Sequence, residues 1–299
     1  MFSKVFRSLF LFFFAGFAVF TATAQDEDTP LTIDSNLVVL NVSVRDSRGL
    51  HVSGLKQKAF SVLEDGIDQP ISFFAAEETP FAAVILLDSS GSMGSNISLA
   101  RSAAIRFLDG IRAKDKVAIY RFDTRVNLVQ DFSNSRDVNE RIFDVKADGM
   151  TVLYDAIYKA AEELGKRPEK RRAIIVLSDG ADTQSGRSAA RALKAASAAN
   201  AVIYTVDMSQ NGPGSTGRQQ ARAVLKDFAE KTGGTFVEKP GGADLRTAFE
   251  AIVEELGVQY TLGYEPLNEK KDGKWRSIEL RIARPNLTIR TRDGYYAVK

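Results

Sequence analysis

Ala82-Ala83-Val84-Ile85-Leu86-Leu87-Asp88-Ser89-Ser90-Gly91-Ser92 is the stretch on which the fold turns. Six apolar residues in a row, closed by an acid and a run of small polar residues, describe a strand buried on both faces of a parallel sheet. A helical pattern follows from Ser98 to Arg112, then a second strand from Val117 to Phe122. Val126 to Phe132 alternates more and fits an antiparallel edge strand. Helices are expected over Ser135–Val145 and Leu153–Leu164, and Ala173–Leu177 is another buried strand, closed by Ser178-Asp179-Gly180. Ser188–Ala199 reads as a helix, Ala201–Val206 as a strand, and residues 209–217 as a Gly/Ser-rich loop. A helix to Lys231, a short strand at Thr235–Val237 and a helix over Asp244–Leu256 complete the series. Such alternation implies an α/β fold, a doubly wound, mostly parallel sheet with helices on both faces.

The flanks read differently. Leu37–Val44, Phe60–Leu63 and Gln69–Phe74 precede this layer, and Gln259–Tyr264, Ser277–Ile282, Leu287–Thr291 and Tyr295–Val298 follow it. Each run is short, β-rich and bounded by turn residues. Neither group alone makes a self-sufficient sheet. The expected organisation is therefore a β-rich flank at 35–78 that pairs with a second flank at 258–299 to form a small β-sandwich, with the α/β domain (79–257) inserted between them.

Residues 1–24 are of another kind. Lys4 and Arg7 precede an apolar run from Leu9 to Phe20, and Ala22-Thr23-Ala24 supplies an A-x-A site. These are the parts of a secretory signal peptide, with 25–34 as a linker. The apolar run is short for a membrane anchor, so the expectation is export to the periplasm or medium without a stable membrane span. Removing Lys4 and Arg7 turns 40 basic and 38 acidic residues into 38 and 38, a formal charge of zero. Bulk charge gives nucleic-acid binding no support. The basic cluster from Lys166 to Arg172 is expected to be a solvated turn. The absence of cysteine is compatible with export and removes thiol nucleophiles and Cys-based metal sites.

Three segments begin where an apolar strand ends or just before a helix: Asp88-x-Ser90-x-Ser92, Gly149-Met150-Thr151, and Ser178-Asp179-Gly180. Ligands of open α/β sheets bind beyond the carboxyl ends of strands, where strand order reverses. If these loops meet there, two carboxylates and several hydroxyls form an all-oxygen shell suited to Mg²⁺, Mn²⁺ or Ca²⁺. Any one segment alone would serve as a helix cap. Asp155 and Asp182 are left out of the metal shell, as a first-turn acid and a loop-fixing acid.

Together these residues resemble a von Willebrand factor type A domain with its metal-ion-dependent adhesion site. The resemblance covers about residues 80–257, and the flanks, with Leu63-Glu64-Asp65-Gly66 and the Tyr-Thr-Leu-Gly-Tyr of 260–264, resemble those of a bacterial group of secreted proteins carrying such a domain. It implies that Asp88, Ser90, Ser92, Thr151 and Asp179 ligate a divalent cation, Mg²⁺ first, directly or through water. It also implies a protein partner that supplies an Asp or Glu to the metal. Met150 departs from the pattern, standing where a small residue is common.

Competing chemistries find little support. His51 is the only histidine and reads as an exposed turn residue far from the candidate serines. Gly91-Ser92-Met93-Gly94 lacks G-x-S-x-G spacing, and no Gly-Lys-Ser/Thr follows a Gly-rich stretch. The expectation is a non-enzymatic adhesion or protein-interaction module. One alternative is a metal-dependent phosphohydrolase with Asp88 as nucleophile, which would want an acid where Ser90 stands. The other is a structural protein whose metal is satisfied from within the chain. The partner's identity and the oligomeric state are not legible.

Overall fold

The computed structural model describes residues 37–76, 79–137, 139–209, 216–238 and 241–297. The signal-peptide and linker readings lie outside them. No helix among the described residues is long and apolar enough to cross a membrane.

The doubly wound layer contains β5 (Phe81–Asp88), β6 (Lys116–Phe122), β7 (Val126–Ser133), β8 (Arg171–Ser178), β9 (Ala201–Asp207) and β10 (Phe236–Val237). Its strand order is β10-β9-β8-β5-β6-β7, parallel except for β7, which runs antiparallel at the edge. Every residue of β5 is buried, and its alternate side chains serve two cores. Ala83, Ile85 and Leu87 pack with α1 (Ile97–Gly110) and α5 (Gly242–Val258), where Phe107 and Phe249 meet edge to face at 6.1 Å. Ala82, Val84 and Leu86 pack with α2 (Leu153–Gly165), α3 (Ala189–Ala198) and α4 (Thr216–Thr232). That is why the central strands read as unbroken apolar runs.

The flanks form two four-stranded antiparallel sheets. One has the order β13-β1-β11-β4, from β13 (Leu287–Arg290), β1 (Val38–Asp46), β11 (Tyr260–Tyr264) and β4 (Ile71–Ala75). The other has the order β14-β12-β2-β3, from β14 (Gly294–Tyr296), β12 (Trp275–Ile282), β2 (Phe60–Glu64) and β3 (Ile67–Gln69). Each sheet mixes strands from before and after the α/β layer. Leu40, Val42, Phe60, Val62, Tyr260 and Leu262 fill the space between them. Buried Glu64 ties the sheets, accepting hydrogen bonds from the Tyr264 hydroxyl (2.7 Å) and the Tyr295 hydroxyl (3.0 Å).

Four expectations need correction, the last of them at Arg171. The helix over Ser135–Val145 is a single 3₁₀ turn, Glu140–Ile142. Short polar side chains there take the backbone instead: Ser133 Oγ accepts from Ser135 N, Ser135 Oγ from Asp137 N, and Asn139 Oδ1 from Arg141 N. The strand over Gln69–Phe74 is two strands, because Pro70 cannot donate to a ladder and the chain changes sheets there. His51 is half-buried rather than exposed, its backbone bridged to Arg45.

The largest departure is Arg171. It belongs to the basic cluster read as solvated, yet it is fully buried. Its Nε donates to Thr261 Oγ1 (3.0 Å), and its Nη2 donates to the carbonyls of Ala76 (2.8 Å) and Gln259. Its Nη1 lies 3.4 Å from the carbonyls of Thr79, Leu256 and Gly257. These groups belong to the two segments that carry the chain into and out of the α/β layer. Beside it, buried Glu255 on α5 is paired with Arg45 of β1 (3.0 Å) and Arg290 of β13, and accepts from the Tyr204 hydroxyl (2.8 Å). Burial pushes the Glu255 carboxyl up, but the Arg290 charge and the hydrogen bonds from Arg290, Tyr204 and Arg45 outweigh burial and hold it below the usual range.

Replacing Arg171 with Met should lower the unfolding free energy by about 3–5 kcal/mol, because the Leu256 and Gln259 carbonyls and Thr261 Oγ1 lose a charged, buried donor. Urea denaturation reads this, and a loss within about 1 kcal/mol would refute the role assigned to Arg171. A lowered folded pKa stabilises above the unfolded value and is lost as pH falls through the folded one. Glu255→Gln should therefore cost about 3–5 kcal/mol at pH 7. That penalty should shrink when melts are run below the ordinary glutamate range. A pH-independent penalty would show that Glu255 acts by packing alone.

Candidate functional site

Strands β5 and β8 are neighbours in register, with Leu87 opposite Leu177, and strand order reverses between them. Their carboxyl ends carry Asp88 and Ser178-Asp179. Asp88 is fully buried. Its Oδ1 accepts from Ser90 N (2.9 Å) and Ser90 Oγ (2.6 Å), and its Oδ2 accepts from Ser178 Oγ (2.6 Å). Ser90 Oγ lies 3.1 Å from Ser92 Oγ. Burial pushes the Asp88 carboxyl up to about 6, against the hydrogen bonds from Ser178 and Ser90 and with a smaller push from the neighbouring Asp179 charge.

The other two segments are tied to this loop. Gly91 N donates to Gly149 O (3.1 Å), and Asp148 N donates to Ser89 O (2.8 Å). Thr151, buried ahead of α2, donates its N–H to Thr183 Oγ1 (2.9 Å) and accepts on its carbonyl from Thr183 N and Gln184 N. The Thr151 and Asp179 segments are thus held together. Asp179 is half-buried, its Oδ1 accepting from Ala181 N (3.1 Å). Two glycines make the approach possible. Gly180 sits at φ +81°, and a Cβ there would lie 2.6 Å from the Ala221 carbonyl oxygen. Gly149, at φ +79°, would press a Cβ to 2.6 Å from Thr124 Oγ1.

Asp155 and Asp182 stand outside this set. Asp155 accepts from Gly186 N and Arg187 N and pairs with Arg187 Nη1 (3.1 Å). Asp182 Oδ1 accepts from Ser185 Oγ (2.6 Å) and from Tyr154 N in the first turn of α2. Sequence reasoning assigned no role to the Ser178 hydroxyl, which holds Asp88 from the next strand. It also passed over the buried Ser89 hydroxyl, which donates to Phe122 O (3.1 Å) and lies 3.2 Å from Asp123 Oδ2. No local pattern marks either, since both partners are distant in sequence.

The donor set suits a hard cation. Among the described residues no three Asp, Glu, His or Cys side chains are grouped to hold a metal. The oxygens here are instead two carboxylates and neighbouring hydroxyls. Mg²⁺–oxygen distances of ~2.1 Å place adjacent octahedral ligands ~3.0 Å apart, which the spacing of the two serine hydroxyls fits. A cleft of about 390 Å³ opens beside them, lined by Ser92, Asp179, Ala181, Ser209, Gly217 and Arg218. Met150 is half-exposed on the neighbouring loop.

Residues 83–181 match the family model of the von Willebrand factor type A domain. An uncharacterized protein of Synechocystis sp. is 30% identical over 106 residues, which is 34% of this chain and 25% of that protein. The chain's match thus spans a quarter of that relative's length. Among solved structures, a von Willebrand factor type A protein from Catenulispora acidiphila superposes with a TM-score of 0.50 at 15% identity, over 86% of this chain and 72% of that one. An aerotolerance-related membrane protein from Bacteroides fragilis gives 0.48 at 18% identity, over 59% of this chain and 98% of that one. The family match covers residues 83–181 of the doubly wound layer, and that layer shares the fold of solved von Willebrand factor type A structures.

Proposed function

We propose that this chain is an exported binding module, not an enzyme, in which a divalent cation joins the Asp88 loop to an Asp or Glu of a protein partner. Mg²⁺ is the first choice, with Mn²⁺ or Ca²⁺ as alternatives. The observation that carries the reading is the Asp88 carboxyl itself: buried at the strand-order reversal, pushed up to about 6, and set beside the linked hydroxyls of Ser90 and Ser92. An ionised carboxylate in that position is costly without a nearby positive charge. Asp88 and Asp179 would supply the negative charge, and Ser90, Ser92 and Thr151 the neutral oxygens. When bound, the cation supplies a Lewis-acidic point for a carboxylate oxygen from outside.

The chain's own residues hold this arrangement ready. Ser178 and Ser90 fix both Asp88 oxygens, while Gly149 and Gly180 let the other two loops close in. Phosphohydrolase chemistry finds less support, because Ser90 occupies the place of a general acid and its hydroxyl is engaged with Asp88 at 2.6 Å. Export is proposed on the pattern of residues 1–24 alone.

A carboxyl whose folded pKa is raised binds its proton more tightly in the native state, so metal-free stability falls as pH rises from the ordinary aspartate range through about 6. At pH 7 this is a cost of roughly 3 kcal/mol. Asp88→Asn should therefore be more stable than wild type in chelator at pH 7, with the gap closing toward pH 4. Saturating Mg²⁺ should raise wild-type stability, by about 2.7 kcal/mol at 100-fold over the dissociation constant, and raise that of Asp88→Asn by less. Equal responses of the two proteins would remove the metal from the account. In a pull-down from native extract with Mg²⁺ present, Asp88→Ala or added EDTA should release a partner that wild type retains. A partner bound equally well by the mutant would rule out the bridging mechanism.

A further inference from the structure

On the far side of β8 from β5, strand β9 ends in a second copy of the Asp88 turn. Asp207 closes β9 opposite Ser178, and parallel strands lie ~4.8 Å apart. Asp207-Met208-Ser209 repeats the D-x-S spacing of Asp88-Ser89-Ser90. The backbone bond is repeated too: Asp207 Oδ1 accepts from Ser209 N at 2.9 Å, as Asp88 Oδ1 does from Ser90 N at 2.9 Å. The loop is pinned from outside, since Asn96 Nδ2 donates to Met208 O and Met208 N donates to Ser178 O.

The two turns differ in how their oxygens are satisfied. Both Asp88 oxygens and the Ser90 hydroxyl have partners within the chain. Asp207 is 1% exposed, and among the described residues its buried Oδ2 has no hydrogen-bond partner, and neither has Ser209 Oγ. Buried carboxylate oxygens and hydroxyls are almost always paired, so two orphans on one turn point to something that occupies the space. Ser209 also lines the cleft shared with Ser92 and Asp179, which gives that space a route from solvent. A carboxylate and a hydroxyl set two residues apart match a hard, oxygen-seeking cation.

We propose that Asp207 and Ser209 hold a second divalent cation, two strands from the Asp88 loop with β8 between them. With one carboxylate and one hydroxyl, most of its shell is water, so it binds more weakly than the first. The inference does not depend on partner binding and stands or falls separately from it.

The test is Mn²⁺ titration of the full chain, with free Mn²⁺ followed by electron paramagnetic resonance. Wild type should bind two Mn²⁺, Asp88→Asn should lose the tighter one, and Asp207→Asn should lose the weaker one and keep the tighter. Ser209→Ala should raise the weaker dissociation constant by about tenfold. An unchanged stoichiometry in Asp207→Asn overturns the proposal. If Asp207→Asn does not fold, Ser209→Ala decides, and an unchanged weak site overturns it. Loss of a cation from Asp207→Asn but none from Asp88→Asn would support this site and remove the Asp88 bridge.

Discussion

A guanidinium sealed between two chain crossings holds the architecture together. Arg171 opens β8 and donates to oxygens on the way into the α/β layer, at Ala76 and Thr79, and on the way out, at Leu256, Gly257 and Gln259. Those segments have no strand partners for these carbonyls, and buried carbonyls must find donors somewhere. One planar, multiply donating side chain satisfies a cluster of them in a way an ammonium could not. Glu255 extends the same junction, drawing Arg45 and Arg290 from the sandwich onto a helix of the inserted layer.

The candidate site depends on this frame at one remove. β8 is fixed at its amino end by Arg171, and its carboxyl end delivers Ser178 and Asp179 beside Asp88. The parallel register of β5 and β8 decides that the Ser178 hydroxyl reaches the Asp88 carboxylate from the neighbouring strand. Asp88 is thereby oriented before any ligand arrives, and such preorganisation lowers the ordering cost of binding.

Much of the α/β layer was legible because its central strands are buried on both faces, so β5 and β8 carry unbroken apolar runs closed by small polar and acidic residues, and β9 departs from this only at Thr205. The site segments were legible for a related reason, since each carries its chemistry within a few consecutive residues. What escaped was tertiary. Arg171 sits in a run of charges that any local reading assigns to solvent, and the oxygens of Ala76, Thr79, Leu256, Gly257, Gln259 and Thr261 make its burial tolerable. Glu255 follows Glu254 on an amphipathic helix and is indistinguishable from it without Arg45 and Arg290. The turn at 135–145 misled in the opposite direction: its apolar spacing suits a helix, while Ser133, Ser135 and Asn139 give the backbone nearer partners.

The placement of the crossings has a mechanical consequence. Residues 76 and 259 leave and re-enter the same sheet, with β4 and β1 on either side of β11. Tension applied between residues 37 and 297 is borne first by the ladders of β1 with β11 and β13, and of β14 with β12. The inserted layer hangs off that load path as a side loop. A tethered molecule under shear could strain its sandwich while the rim carrying Asp88 keeps its shape.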